Sequence, residues 1–211
     1  MLKVKIFTLG PLGTNCYVLF SDQKAVVIDP GGDPEEVISF LEDNGLSVEN
    51  IFNTHLHFDH TYGNAKLSQH TGASILASEK DRFLLDSELG RGGFMDFPEV
   101  EPFGFQRLEP GTLQVLGVEC QVLETPGHTP GSLSFYFPEQ KIVFVGDLLF
   151  FRSVGRTDFP GGNLETLKNA VKEKIFTLPG ETIVYPGHGE ETLVKEEKLH
   201  NPFFVQYNYL S

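Results

Sequence analysis

Three histidines and an aspartate fall within six residues, in the run His55-Leu56-His57-Phe58-Asp59-His60. Imidazole and carboxylate donors at this density point to a metal centre and suit zinc, iron or manganese. Such donors must be held by rigid backbone, so the cluster constrains the fold around it. A short apolar run, Ile51–Asn53, leads into it and reads as a strand, which places the histidines at a strand end. Further donors stand in similar settings. His128 closes Thr125-Pro126-Gly127-His128, His188 closes Tyr185-Pro186-Gly187-His188, and Asp147 follows the apolar Val145-Gly146. If these four strand ends share one edge of the sheets, the donors converge, as sites on loops over a rigid scaffold do. The remaining histidines, His70 and His200, lack this context and read as surface residues.

The rest of the chain supplies that scaffold. Val4–Leu9, Cys16–Phe20 and Ala25–Asp29 read as three strands, the last stopped by Pro30-Gly31-Gly32. Asp33 is placed to cap a helix whose apolar face carries Val37, Ile38 and Leu41, with Asn44-Gly45 ending it. The spacing predicts one helix from about 60 to 70, a strand at Ser74–Ala77 and a short helix over Ser78–Asp86 with Phe83, Leu84 and Leu85 inward. Residues 87–110, rich in Gly, Phe and Pro, read as a long irregular loop, a feature often tied to function. Thr112–Leu116 with Glu119–Glu124, and Ser132–Phe137 with Lys141–Val145, read as hairpins. A helix over Leu164–Phe176, a strand at Thr182–Tyr185 and a helix over Glu190–His200 complete the order. Strands with inserted helices give an α/β or α+β chain with two sheets.

Composition excludes several roles. A net charge of -13 offers no basic patch for nucleic acid or an anionic membrane. No stretch approaches the roughly 18 apolar residues of a membrane span, and the N-terminal residues lack the pattern of a secretory signal. The 211 residues suit one large domain, or a domain with a small appendage; the chain is read as one domain. The two cysteines, Cys16 and Cys120, read as free core thiols, which fits a cytoplasmic setting.

The ordered motifs Thr54-His55-Leu56-His57-Phe58-Asp59-His60, Pro126-Gly127-His128-Thr129-Pro130-Gly131, Gly146-Asp147 and Pro186-Gly187-His188-Gly189 resemble those of the metallo-β-lactamase superfamily. Within it the chain is similar to the short glyoxalase II-like hydrolases, through Val154–Gly162 and His200-Asn201-Pro202-Phe203 as well. The resemblance implies a four-layer αββα sandwich of two mixed sheets with the site at one edge. It implies two divalent ions, zinc first, with iron or manganese as alternatives. His55, His57 and His128 would hold one ion, Asp59, His60 and His188 the other, and Asp147 would bridge them. Asp59 and Asp147 would also orient a bridging hydroxide. Arg156 resembles the basic position that meets a substrate carboxylate in glyoxalase II, and Asn15 and Tyr17 lie in a segment that recurs near the family's site. The implied substrate is a small thioester, with a glutathione thioester as one form.

Two departures narrow this. Longer family members carry a C-terminal helical domain that helps bind glutathione, whereas only residues 189–211 follow His188 here, and Asp158 stands where those members have a tyrosine. Metallo-β-lactamases proper usually place a cysteine or serine in the second site, where this chain has Asp147, which points away from antibiotic hydrolysis. Persulfide dioxygenases resemble the Gly155–Phe159 stretch too, and imply a rival oxidoreductase with one iron on His55, His128 and Asp147. The five residues Phe94, Met95, Phe97, Phe103 and Phe105 could form a lid over the site or pack on the core.

Overall fold

The computed structural model describes residues 2–205. Two six-stranded mixed sheets pack face to face with helices outside, giving the four-layer αββα sandwich. The first sheet runs in the order β1 (Lys3–Leu9), β2 (Thr14–Ser21), β3 (Lys24–Ile28), β4 (Ser47–Phe52), β5 (Ser74–Ala77), β6 (Gln106–Arg107). It is antiparallel through β3 and parallel beyond it. The second runs β14 (Thr192–Leu193), β13 (Ile183–Pro186), β10 (Ile142–Gly146), β9 (Leu133–Phe137), β8 (Val118–Glu124), β7 (Gly111–Val115), with β10 and β13 parallel. A small hairpin, β11 (Leu149–Phe150) and β12 (Ser153–Val154), follows Asp147.

Alternation along the strands builds the layers. Tyr17, Leu19, Val26, Ile28 and Phe52 face Val122, Phe135, Phe137 and Phe144 across the central core. Their neighbours Cys16, Val18, Ala25 and Val27 point the other way, onto α1 (Glu35–Asp43) and α3 (Asn64–Thr71). Val143, Val145 and Val184 meet α5 (Leu164–Ala170) and α6 (Val194–His200) on the far side. Central strands buried on both faces need near-continuous apolar runs, which β3 and β10 have.

Several local expectations are corrected. Pro34, not Asp33, occupies the cap position of α1, and Asp33 pairs with Lys66 instead. The helix expected over 60–70 is two helices, α2 (Phe58–Thr61) and α3, because the Gly63 amide donates to Pro30 O (2.7 Å) rather than continuing the turn. Phe83 points outward, 42% exposed, because Glu79–Asp86 is a 3-10 helix whose three-residue turn shifts the buried face onto Leu84. The 87–110 loop contains α4 (Glu88–Arg91) and β6. The final helix starts at Val194, after β14 has taken Thr192–Leu193. The helix over 164–176 is α5 followed by a π turn, Val171–Ile175. No helix among the described residues is long and apolar enough to cross a membrane.

Candidate metal centre

The four motifs do converge at one edge of the sandwich. Each leaves the end of a strand: the histidine cluster after β4, His128 after β8, Asp147 after β10, His188 after β13. Gly127 lets the His128 turn close, since its φ is +135° and a Cβ there would lie 2.3 Å from Leu167 Cα of α5. Asn163 N–H then donates to Gly127 O at 2.8 Å and ties the turn to the start of that helix.

Donor atoms gather in three overlapping groups, each within 4.8 Å: His55, His57 and His128; Asp59, His60 and His188; and His55, His60 and Asp147. His57 Nδ1 lies 2.9 Å from His128 Nε2. Asp147 Oδ1 is 3.3 Å from His60 Nε2, while its Oδ2 is 3.7 Å from His128 Nε2 and 3.6 Å from His188 Nε2. Asp147 therefore spans both histidine groups. Ligands around one tetrahedral ion at about 2.0–2.1 Å would stand roughly 3.3 Å apart, which these separations bracket.

The surroundings orient the rings. His128 Nδ1 faces Arg156 O at 2.7 Å, His60 Nδ1 faces Asp29 Oδ2 at 2.9 Å, His188 Nδ1 faces Leu12 O at 3.2 Å and His55 Nδ1 faces Thr54 Oγ1 at 3.1 Å. With one nitrogen so engaged, the other is presented to the centre, the arrangement that fixes tautomer and direction in metal sites. Asp29 also accepts from Thr54 N–H (2.8 Å) and Thr54 Oγ1 (2.6 Å), and Thr14 Oγ1 donates to Asp59 at 3.2 Å. Asn15 Nδ2 donates to Pro186 O and Gly189 O, and the Tyr17 hydroxyl to Pro186 O at 2.6 Å, so both pin the loop that carries His188.

Electrostatics divides the donors. Burial, with His60 and His128 nearby, pushes His55 well below its usual pKa, and burial with His128 lowers His57 to about 3. Burial opposes charge on His60, but Asp147, Asp59 and Asp29 outweigh it and raise its pKa; the hydrogen bond to Asp59 does the same for His188. Burial works against the ionised Asp147 and Asp59 in turn, yet the surrounding histidines hold both low. His55 Nε2, His57 Nε2, His60 Nε2 and Asp147 Oδ1 are buried with no hydrogen-bond partner. Orphaned buried donors at this density need a compensating ligand, and divalent ions fit the donor set.

The other expected residues fall as follows. Arg156 lines the cavity over the centre, but its Nε and Nη2 donate to Asp158 Oδ1 and Oδ2 (2.8 and 2.7 Å). The neighbouring Arg152, for which the sequence set no expectation, bonds Glu196 and Glu197, away from the cavity. Phe94, Met95 and Phe97 line the cavity, whereas Phe103 and Phe105 pack on the core beside α1 and Leu84. His70 pairs with Glu42 and His200 with Glu196, both outside the centre. Cys16 and Cys120 are buried free thiols. Asp29 and Asp81 are the residues that sequence reasoning missed. Asp81, buried, accepts from Thr129 Oγ1 (2.7 Å) and Gly131 N–H (2.6 Å) and braces the His128 turn. Asp29 carried a faint signal, an acid closing a buried strand before Pro-Gly-Gly; Asp81 carried none.

Known proteins are similar to this chain in sequence and fold. The hydroxyacylglutathione hydrolase GloC of Haemophilus influenzae is 36% identical over 207 residues, covering 96% of this chain and 98% of its own. The crystal structure of BLEG-1, a B3 metallo-β-lactamase, superposes with a TM-score of 0.90 at 36% identity, over 98% of this chain and all of the other. That of TTHA1623 in a di-iron-bound form gives 0.86 at 38% identity, over 95% of this chain and all of the other. The family model of the metallo-β-lactamase superfamily matches residues 9–188, a span that holds every donor of the centre, and the chain belongs to that superfamily.

Proposed function

We propose that this chain is a dinuclear metallo-hydrolase that cleaves thioesters, with S-lactoylglutathione as the reference substrate. The observation that carries the reading is Asp147, whose two oxygens face histidines of both groups at the floor of a cavity. His55, His57 and His128 would hold one ion and Asp59, His60 and His188 the second, with Asp147, which faces both groups, serving both. Zinc is the ion first assigned, and the di-iron form of TTHA1623 keeps iron as the alternative. Divalent ions bound there would supply two things: a water of lowered pKa and polarisation of a carbonyl oxygen.

The chain's own groups do the rest. Asp59, fixed by Thr14, and Asp147 accept from the attacking water and set its direction. The cavity's only side-chain hydroxyl among the described residues is Ser87, which donates to Leu84 O at 2.8 Å rather than to a histidine base, so the reading uses no covalent nucleophile. A thiolate leaving group, with a pKa near about 8.5, departs without a dedicated acid. The name of the Haemophilus relative supports this substrate class. We place the protein in the cytoplasm, where buried free thiols such as Cys16 and Cys120 persist, and treat residues 1–211 as one catalytic domain.

Metal analysis of the purified protein tests the reading when paired with thiol release from S-lactoylglutathione and oxygen uptake with glutathione persulfide. About two ions per chain with thiol release is the expected result. One iron with oxygen uptake would sink it and favour the dioxygenase. A cephalosporin is included because BLEG-1 is named a β-lactamase. Asp147→Ala should abolish turnover, and retained activity would remove Asp147 from the centre.

A further inference from the structure

Over the donor cluster stands a cavity of about 980 Å³. Its walls are carbon: Leu12, Phe58, Leu89, Phe94, Phe97 and Phe159. Phe58 belongs to the histidine motif itself. Its ring packs on Phe97 at 5.1 Å and Phe94 at 5.5 Å between centroids, which ties the segment carrying them to the motif and to the cavity that Asp59 also lines. The segment is closed on itself, by Gly93 N–H to Pro98 O and Val100 N–H to Arg91 O. The apolar wall and the metal-facing donors therefore form one continuous cleft.

The cleft has one Lys or Arg side chain among the described residues, Arg156, and that charge is already matched. Its guanidinium gives two parallel hydrogen bonds to Asp158 and stacks 3.7 Å from the Phe159 ring centroid. Arg156 also holds the Asp158 carboxyl down to about 2, so Asp158 carries its charge at neutral pH and faces any anion that approaches this half-exposed guanidinium. Glu88 adds a further acid to the lining. A glutathione group carries two carboxylates. Lodged here, they would have to share the Arg156 guanidinium with the like-charged Asp158 or stand against an apolar wall, and either is unfavourable. A hydrocarbon group gains from the same wall by leaving water.

We propose that the group taken into this cleft is bulky, apolar and uncharged, so that the chain prefers neutral apolar thioesters to glutathione thioesters. The word thioester here rests on the function proposed above; the preference for neutral apolar groups rests on the cleft alone. Asp158 acts as a built-in counterion that denies Arg156 to anionic ligands.

Calorimetry on the metal-loaded protein separates the two claims, using thioethers that cannot be hydrolysed. S-hexyl-N-acetylcysteamine and S-hexylglutathione share one alkyl chain and differ in charge. The neutral compound should bind about tenfold or more tightly, and lengthening its alkyl group should tighten binding by up to about fourfold per buried methylene. Asp158→Asn should move the affinity ratio about fivefold or more toward the glutathione adduct, because it frees Arg156. Phe97→Ser, checked for folding by circular dichroism, should weaken the neutral compound. Equal or tighter binding of S-hexylglutathione to the wild-type chain overturns the proposal, and so does binding of neither compound. Turnover is then compared for S-hexanoyl-N-acetylcysteamine and S-lactoylglutathione. No turnover of either, with the binding order intact, overturns the thioester reading and leaves the cleft's preference standing.

Discussion

His128 Nδ1 lies 2.7 Å from the carbonyl oxygen of Arg156, so the residue whose side chain lines the cleft also orients a metal-facing histidine through its backbone. The approach depends on Gly155. A Cβ there would meet Asp147 O at 1.8 Å and His128 Nδ1 at 3.3 Å. Gly155→Ala should push the 155–156 backbone away and cost about 10–100-fold in metal affinity or activity, the range for lost orienting partners. Metal content after dialysis against a chelator checks it; full retention would count against the orienting bond.

Asp81 joins the two histidine segments, accepting from Leu56 N–H, Thr129 Oγ1 and Gly131 N–H. Asp81→Asn sets an amide NH2 against these donors and should cost about 1–3 kcal/mol in urea unfolding. Burial raises the Asp81 carboxyl above its ordinary 3.8, against the hydrogen bonds from Thr129 and Gly131. A raised native value means the contribution of this titration is complete below 3.8 and is lost as pH rises through the native pKa. The wild type's advantage over the Asn variant should therefore shrink with rising pH across that acid window. An advantage that grows there would place the native pKa below the ordinary value.

Removing metal should lower the thermal midpoint. His55 Nε2, His60 Nε2 and Asp147 Oδ1 would stay buried without partners. At free metal about 100 times Kd, linkage gives about 2.7 kcal/mol, or roughly 5–10 °C for a chain of this size. Scanning calorimetry with chelator, then with metal restored, measures it. An unchanged midpoint would mean the donors gain nothing from an ion.

Neither cysteine should react in the native protein. Burial pushes the Cys120 thiol up to about 12 and, with Asp29 nearby, raises Cys16 well above its usual value. At pH 8, Ellman's reagent should label no thiol before unfolding and both thiols after it. Rapid native labelling would show that the core opens around β2 or β8.

The sequence disclosed the metal-facing donors because they cluster or follow Pro-Gly turns, and disclosed the sheets because alternation exposes which face of a strand is buried. It concealed Asp29 and Asp81, whose partners lie 25 to 50 residues away with no periodic relation to them. Phe83 misled for a different reason. An apolar triplet, Phe83-Leu84-Leu85, looks inward on an α-helix, whereas the 3-10 turn there buries Leu84 and leaves Phe83 outside. The Arg156–Asp158 pair was equally hidden: the two residues stand two positions apart in the sequence, and only the loop's folded shape turns their side chains onto each other.

The grip of Asn15 on the Pro186–Gly189 loop spans 171 residues. Chains grow from the N-terminus at about 5–20 residues per second, so Asn15 and Tyr17 wait most of a synthesis cycle for the carbonyls they will hold. During that wait His55, His57 and His128 can already meet, while Asp59 and His60 lack His188. The proposed centre therefore closes last, when β13 enters the second sheet beside β10 and delivers the His188 loop to the waiting Asn15 and Tyr17.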